Sequence, residues 1–211
     1  MYVIGYGGGY LLNHISKSTR DRQWITLTNS IRRVKCELDG YNISEVWDFA
    51  CPGGNFTASN FKDQIFKTLN DTRKLIKWCN NRGITLIYAS SLGVEDCENI
   101  NYFQKIYNTS KFLNEEMIKS YCKNYKILKI PRVYGSERFK GLIQNLRDET
   151  FTGNFEDKIE FIDIDDFVSQ TLEKLKEDVT VFKYKTEIQS ILTIKARYID
   201  PPKTYNQCPI L

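Results

Sequence analysis

An α/β fold, a doubly wound parallel sheet followed by a small C-terminal lobe, is what this sequence of 211 residues predicts. Three observations carry that expectation. A glycine cluster from Gly5 to Gly9 separates an N-terminal apolar run from a helix-period pattern. Further apolar runs alternate with helix-period segments as far as Arg132. One of them, Ile84-Thr85-Leu86-Ile87-Tyr88-Ala89, is apolar almost throughout, as strands covered on both faces of a parallel sheet are.

The elements follow in order. Tyr2-Val3-Ile4 forms a strand that breaks at Gly5-Tyr6-Gly7-Gly8-Gly9-Tyr10, after which Leu11, Leu12 and Ile15 fall at helical spacing. Trp24-Ile25-Thr26-Leu27-Thr28 is β-branched and aromatic and ends at Asn29-Ser30. Glu45-Val46-Trp47-Asp48-Phe49-Ala50 is stopped by Pro52-Gly53-Gly54. A long helix is predicted over 59–81, with Phe61, Ile65, Leu69, Ile76 and Cys79 on one face and Gly83 as its stop. A second helix carries Tyr107 and runs to about Asn124, with Phe112, Leu113, Met117 and Tyr121 inward. Tyr125-Lys126-Ile127-Leu128-Lys129-Ile130 is the next strand, ended by Pro131. The boundary divides 1–132, a dinucleotide-binding domain by the reasoning below, from a reduced lobe over 133–211. That lobe holds a helix over 139–147, a strand over 158–164 and a helix over 165–176, part of 158–176 returning to the core. The tail through Pro201-Pro202 reads as irregular.

Composition narrows the function classes. A hydrophobic content of 41% supports a core, and a net charge of +4 spread along the chain suits an anionic small molecule rather than nucleic acid. No apolar stretch approaches the ~18 residues of a membrane span. The first residues carry glycines in place of a signal peptide's apolar region. The expectation is a soluble, cytoplasmic protein with no membrane partner. Cys36, Cys51, Cys79, Cys97, Cys122 and Cys208 form no short-spaced pair, and His14 is the one histidine. No metal site is expected, and the thiols read as small buried hydrophobes in a reducing compartment.

Two constellations carry chemistry. In a strand–turn–helix, glycines let the backbone approach a pyrophosphate at the positive helix N-terminus, which makes the sheet Rossmann-type. Gly5, Gly7, Gly8 and Gly9 with Tyr10 and Leu11 are the candidates, the last glycine of the usual fingerprint falling on tyrosine or leucine. The second strand ends without a carboxylate, in Thr28-Asn29-Ser30-Ile31-Arg32-Arg33. Ser30, Arg32 and Arg33 would accommodate a 2′-phosphate, so the expected cofactor is NADP, with NAD possible. The second constellation is Tyr107 and Lys111, four apart on a helix and so on one face. There an ammonium stabilises a phenolate, and a serine of the preceding Ala89-Ser90-Ser91 run, Ser90 or Ser91, would hydrogen-bond the same substrate oxygen.

Together these segments resemble the extended short-chain dehydrogenase/reductase superfamily, in its NAD-dependent epimerase/dehydratase group acting on nucleotide sugars. The resemblance runs from Tyr2 to about Phe167. Asp48-Phe49-Ala50-Cys51-Pro52 is similar to the group's segment along the cofactor, and Asn70 falls where it has a structural asparagine. Ile130-Pro131-Arg132-Val133-Tyr134-Gly135 resembles its motif near the nicotinamide, and Phe161-Ile162-Asp163-Ile164-Asp165-Asp166-Phe167 its late strand-to-helix signature. The resemblance implies Tyr107 as acid/base, Lys111 on the nicotinamide ribose and Ser91 on the reacting hydroxyl. It also implies Ala50 and Pro131 against the cofactor and Arg132 against the substrate. It further implies a homodimer built on the two long helices through Phe66, Leu75, Trp78, Leu113 and Ile118. Leu92-Gly93 stands where dehydratases carry an Asp-Glu pair, so reduction or epimerisation of a nucleotide sugar is expected over dehydration. The alternative is a non-catalytic NAD(P)-binding sensor or scaffold, since a fold does not fix a function.

Overall fold

The computed structural model describes residues 2–7, 9–27, 38, 40–50, 61–95, 102–138 and 140–200. They divide into two compact units, Met1–Pro131 with Val168–Tyr184, and Arg132–Phe167 with Lys185–Leu211.

The first unit is a six-stranded, wholly parallel sheet. Its strands are β1 (Tyr2–Tyr6), β2 (Gln23–Leu27), β3 (Ile43–Asp48), β4 (Thr85–Ser91), β5 (Tyr125–Ile130) and β8 (Val181–Lys183), in the order β2-β1-β3-β4-β5-β8. Helices α1 (Tyr10–Ser18), α2 (Phe61–Arg82) and α3 (Tyr102–Tyr121) join successive strands. Gly83, at φ +67°, ends α2 in the left-handed region that glycine adopts without strain. Helix α5 (Ile164–Lys174) leads to β8. Lys126 of β5 secures this return by donating to the carbonyls of Leu175 (3.1 Å) and Glu177 (2.8 Å).

Pairing register explains why the site forms at one end of the sheet. Laterally paired residues of a parallel ladder point to the same face, so Ile4, Val46 and Leu86 make one row. With Ile127, Ile76, Cys79 and Ile118, that row lies in the apolar core beneath α2 and α3. One pleat further on, the row reads Tyr6, Asp48, Tyr88, Ile127, and beyond it Ser90 pairs Lys129. The packing face is therefore apolar at the middle of the strands and polar at their carboxyl ends, where ligands bind in open α/β sheets.

Helix α3 matches this gradient, which corrects its expected orientation. Phe112, Leu113 and Tyr121 are exposed, while Asn108, Lys111, Asn114 and Glu115 face inward with Ile118. The expected interface set splits likewise: Leu75, Trp78 and Ile118 are core residues, and Phe66 and Leu113 remain exposed. Asn70 is exposed.

In the second unit, β6 (Val133–Tyr134) pairs β7 (Lys158–Asp163) in parallel, and β9 (Glu187–Ser190) adds antiparallel to β7. Helices α4 (Leu142–Arg147) and α6 (Ile191–Tyr198) close a core of Tyr134, Ile143, Leu146, Phe161, Ile191, Ile194 and Tyr198. The N-cap of α6, Ser190, accepts from the Thr193 amide at 3.2 Å, and Pro201 and Pro202, where the tail reads as irregular, lie outside the described residues.

Lys129 Nζ lies 2.6 Å from Glu115 Oε2, with the two side chains 6% and 1% exposed. Ser90 donates to the other oxygen of Glu115. Stranding one member of a buried pair costs about 3–5 kcal/mol. Lys129→Met should lower the urea-unfolding free energy by about that much, and Lys129→Met with Glu115→Gln by clearly less than the sum of the single variants. Strict additivity would contradict the pairing.

Candidate functional site

The N-terminal turn shows what each described glycine does. Gly5 lies within β1, and a Cβ there would fall 2.6 Å from Leu12 Cδ2, so its absence lets α1 pack close to the strand. Gly7 has φ +86°, and a Cβ on it would lie 2.2 Å from the backbone nitrogen of Ala50. The turn and the end of β3 are in backbone contact there. Gly9, at φ +118°, is the N-cap of α1; it supplies no side-chain cap and nothing lies within 4 Å of its built Cβ. Tyr10 opens α1 and its ring meets His14 edge-on at 4.7 Å, while Leu11 is half-buried. Gly8, Ser30, Arg32 and Arg33 lie outside the described residues.

The end of β3 closes against this turn. The Phe49 amide donates to Tyr6 O at 2.9 Å, and the Ala50 amide to Asp48 Oδ1 at 2.9 Å. Asp48 is buried, and that burial pushes its carboxyl up to about 6; Lys111 opposes the shift, as does the Ala50 amide, and Asp71 adds to it.

Strand β4 ends at Ser91, whose Oγ accepts the Gly93 amide at 3.2 Å and caps the 3-10 turn Leu92–Val94. Accepting that bond leaves the Ser91 hydroxyl proton to give. Asn108 of α3 holds the same turn, donating to Gly93 O at 2.5 Å while its Oδ1 accepts from Gln104 Nε2 at 2.9 Å. Ser90, in contrast, is buried and committed to Glu115. One turn along α3 from the half-buried Tyr107, Lys111 is 3% exposed. Its Nζ donates to Ala89 O at 2.5 Å and stands 4.7 Å over the Tyr88 ring. Ala50, Ser91, Tyr107 and Lys111 are therefore all carried by the carboxyl-end segments of the sheet and the helix that covers them. Pro131 ends β5, and Arg132, exposed, belongs to the second unit, where its carbonyl accepts the Ile162 amide.

Sequence reasoning missed four residues here: Asp48 as a buried ionisable group, Asn108, Glu115 and Lys129. Helical spacing from Lys111 would have flagged Asn108 and Glu115 as its face-mates. Nothing local flags Lys129. Among the described residues no helix is long and apolar enough to cross a membrane.

The model of the NAD dependent epimerase/dehydratase family matches residues 11–183. Solved structures share the fold at low identity. UDP-glucuronic acid 4-epimerase from Bacillus cereus, in complex with NAD, is 18% identical with a TM-score of 0.75, over 93% of this chain and 81% of that one. A dTDP-4-dehydrorhamnose reductase from Clostridium acetobutylicum is 15% identical with a TM-score of 0.74, over 95% and 80%. The enzyme WbmG from Bordetella bronchiseptica, in complex with NAD and UDP, is 15% identical with a TM-score of 0.73, over 95% and 79%. A search of curated proteins finds no match.

Asp48 gives a pH-dependent stability. Its folded value, about 6 against 3.8, favours the protonated form in the fold, so its contribution to stability is fully present below about pH 4 and is lost as pH rises through about 6. The full cost above that window is on the order of 3 kcal/mol. Asp48→Asn keeps an acceptor for the Ala50 amide. It should be more stable than the parent by up to about that amount at pH 7.5 and nearly equal to it at pH 4, read by urea unfolding. Lower stability of the variant at pH 7.5 would overturn this.

Proposed function

The chain belongs to the NAD-dependent epimerase/dehydratase family, and from that premise we propose that it is an NAD(P)-dependent reductase or epimerase acting on a nucleotide sugar. The observation that carries this reading is the buried Lys111 ammonium at the carboxyl end of β4, one turn from half-buried Tyr107. A tyrosine and lysine decorating a helix surface would leave the ammonium in water.

The residues fit a dinucleotide. The Gly7 approach to Ala50 and the glycine N-cap of α1, which brings no side chain to the helix start, make a backbone cradle suited to a diphosphate. When bound, the nicotinamide gives or takes a hydride. Every other part of the chemistry falls to the chain. Tyr107 moves the proton of the hydroxyl on the carbon that changes oxidation state. Ser91, its Oγ fixed by the Gly93 amide, donates to the same oxygen. The Lys111 ammonium lowers the cost of a phenolate on Tyr107 and would hold the nicotinamide ribose. Arg132 is the candidate for substrate contact. In the cofactor assignment, Ser30 with Arg32 and Arg33 would hold a 2′-phosphate, making NADP the preferred form.

Tyr107→Phe removes the hydroxyl and keeps the shape. Hydride transfer to or from the active nucleotide sugar should fall about 10²–10⁴-fold, with dinucleotide affinity unchanged. A variant that turns over like the parent would leave the non-catalytic binding reading in its place. Calorimetry should give tighter binding of NADPH than of NADH, with Arg32→Ala narrowing the gap; equal affinities would sink the 2′-phosphate assignment. The family resemblance also implies a dimer through α2 and α3, and the apolar side chains they leave exposed, Phe66 (71%), Phe112 (48%) and Leu113 (39%), support it. Light scattering should give twice 24.7 kDa at micromolar concentration, and Phe66→Asp with Leu113→Asp the monomer mass. A monomeric parent would contradict the dimer.

A further inference from the structure

The carboxylate of Asp48 has no part in the proton transfer proposed above, and burying it costs stability. Its placement supplies a reason for it. Asp48 pairs Tyr88 across β3 and β4, and laterally paired residues project from one face, so the carboxylate and the Tyr88 ring stand side by side beneath α3. The Lys111 ammonium lies over that ring and reaches the carbonyl of Ala89, the next residue of the strand. Both of these contacts are neutral. The other acid on the inward face of α3, Glu115, is engaged by Lys129 and Ser90. Asp48 is buried, and among the described residues its hydrogen bond comes from its own turn, the Ala50 amide. The charged and titratable groups packed around it are Lys111 from α3, Asp71 and the buried Cys79 from α2, Tyr88 from β4 and Tyr6 from β1. Of these, Lys111 alone is a cation.

We propose that Asp48 is a positioning residue, a buried counter-charge that favours Lys111 as an ammonium and helps hold it at the carboxyl ends of β3 and β4, ready for Tyr107 and the dinucleotide. The functional consequence rests on the reading of Tyr107 and Lys111 given under Proposed function; the coupling between Asp48 and Lys111 does not. The carboxylate exerts this hold when ionised, above about pH 6, and releases it as pH falls through that value. Asp48→Asn releases it at every pH.

The test uses the ligand-free protein labelled with ¹³C at lysine Cε, the Lys111 resonance being assigned from Lys111→Met. In the parent, the Lys111 signal should shift with an inflection near pH 6, as Asp48 ionises beside it. Asp48→Asn should abolish that inflection and lower the pH at which Lys111 itself deprotonates by a unit or more. Asp48→Glu should restore an inflection. A Lys111 signal insensitive to pH between 5 and 7 in the parent would overturn the proposal, as would identical high-pH titrations in parent and Asn variant. Calorimetry of the parent with NADPH and NADH keeps the two readings apart. Failure of both dinucleotides to bind counts against the proposed function, while the lysine signal still decides the role of Asp48.

Discussion

Keeping an ammonium charged away from water is the constraint on which the carboxyl end of this sheet depends. Lys111 is 3% exposed, and an isolated buried ammonium would lose its proton. Its surroundings therefore supply a carbonyl, an aromatic face and the field of a carboxylate, contributed by β4 and β3. Those partners exist because the parallel register brings Asp48 beside Tyr88. The glycine turn is tied to the same strand end, since Gly7 must lack a side chain for the loop to meet Ala50.

The same economy governs α3. A helix over a sheet usually presents an apolar stripe, and this one does so toward its C-terminal end, at Ile118 and Cys122 beside it. Toward its N-terminal end the inward face carries Asn108, Lys111, Asn114 and Glu115. Each of three has a specific partner: Gly93, Ala89 and Lys129 respectively for Asn108, Lys111 and Glu115. Asn114, fully buried, has no partner among the described residues for either amide atom. Lys129 also lies 3.7 Å from Glu95, in the segment just after Ser91, so the ion pair fastens α3 and the Ser91 turn to one strand. Packing of this kind stabilises less than an apolar seam does, and it fixes orientation better. The stability lost is the cost of a site whose polar groups stay in place.

Much of the fold was legible because its signals are local. The bounds of β5, Tyr125–Ile130, are those its apolar run and Pro131 predict, and Gly83 ends α2 as expected. The direction of α3 was not legible, because a stripe of Phe112, Leu113 and Tyr121 looks inward when helical period alone is read. Only the partners from β4 and β5, far away in sequence, reveal that the polar face is the buried one. Strand β8 has three residues, too few for a period to register, and its place beside β5 follows from a pairing that no local pattern encodes. Helix α6 did carry a signal in Ile191, Ile194 and Tyr198 after the capping Ser190. Of the candidate site, spacing put Tyr107 and Lys111 on one helix face, whereas the burial of Asp48 carries no local signal.

The central claim is that the glycine turn, the end of β3 and Lys111 together form a dinucleotide site. A crystal structure of the protein soaked with NADPH tests it most directly. Density for the diphosphate at the Gly7–Gly9 turn, with Lys111 Nζ within hydrogen-bond distance of the nicotinamide ribose, is the predicted result. Dinucleotide density elsewhere, with Lys111 still directed only at Ala89 O, would contradict the account.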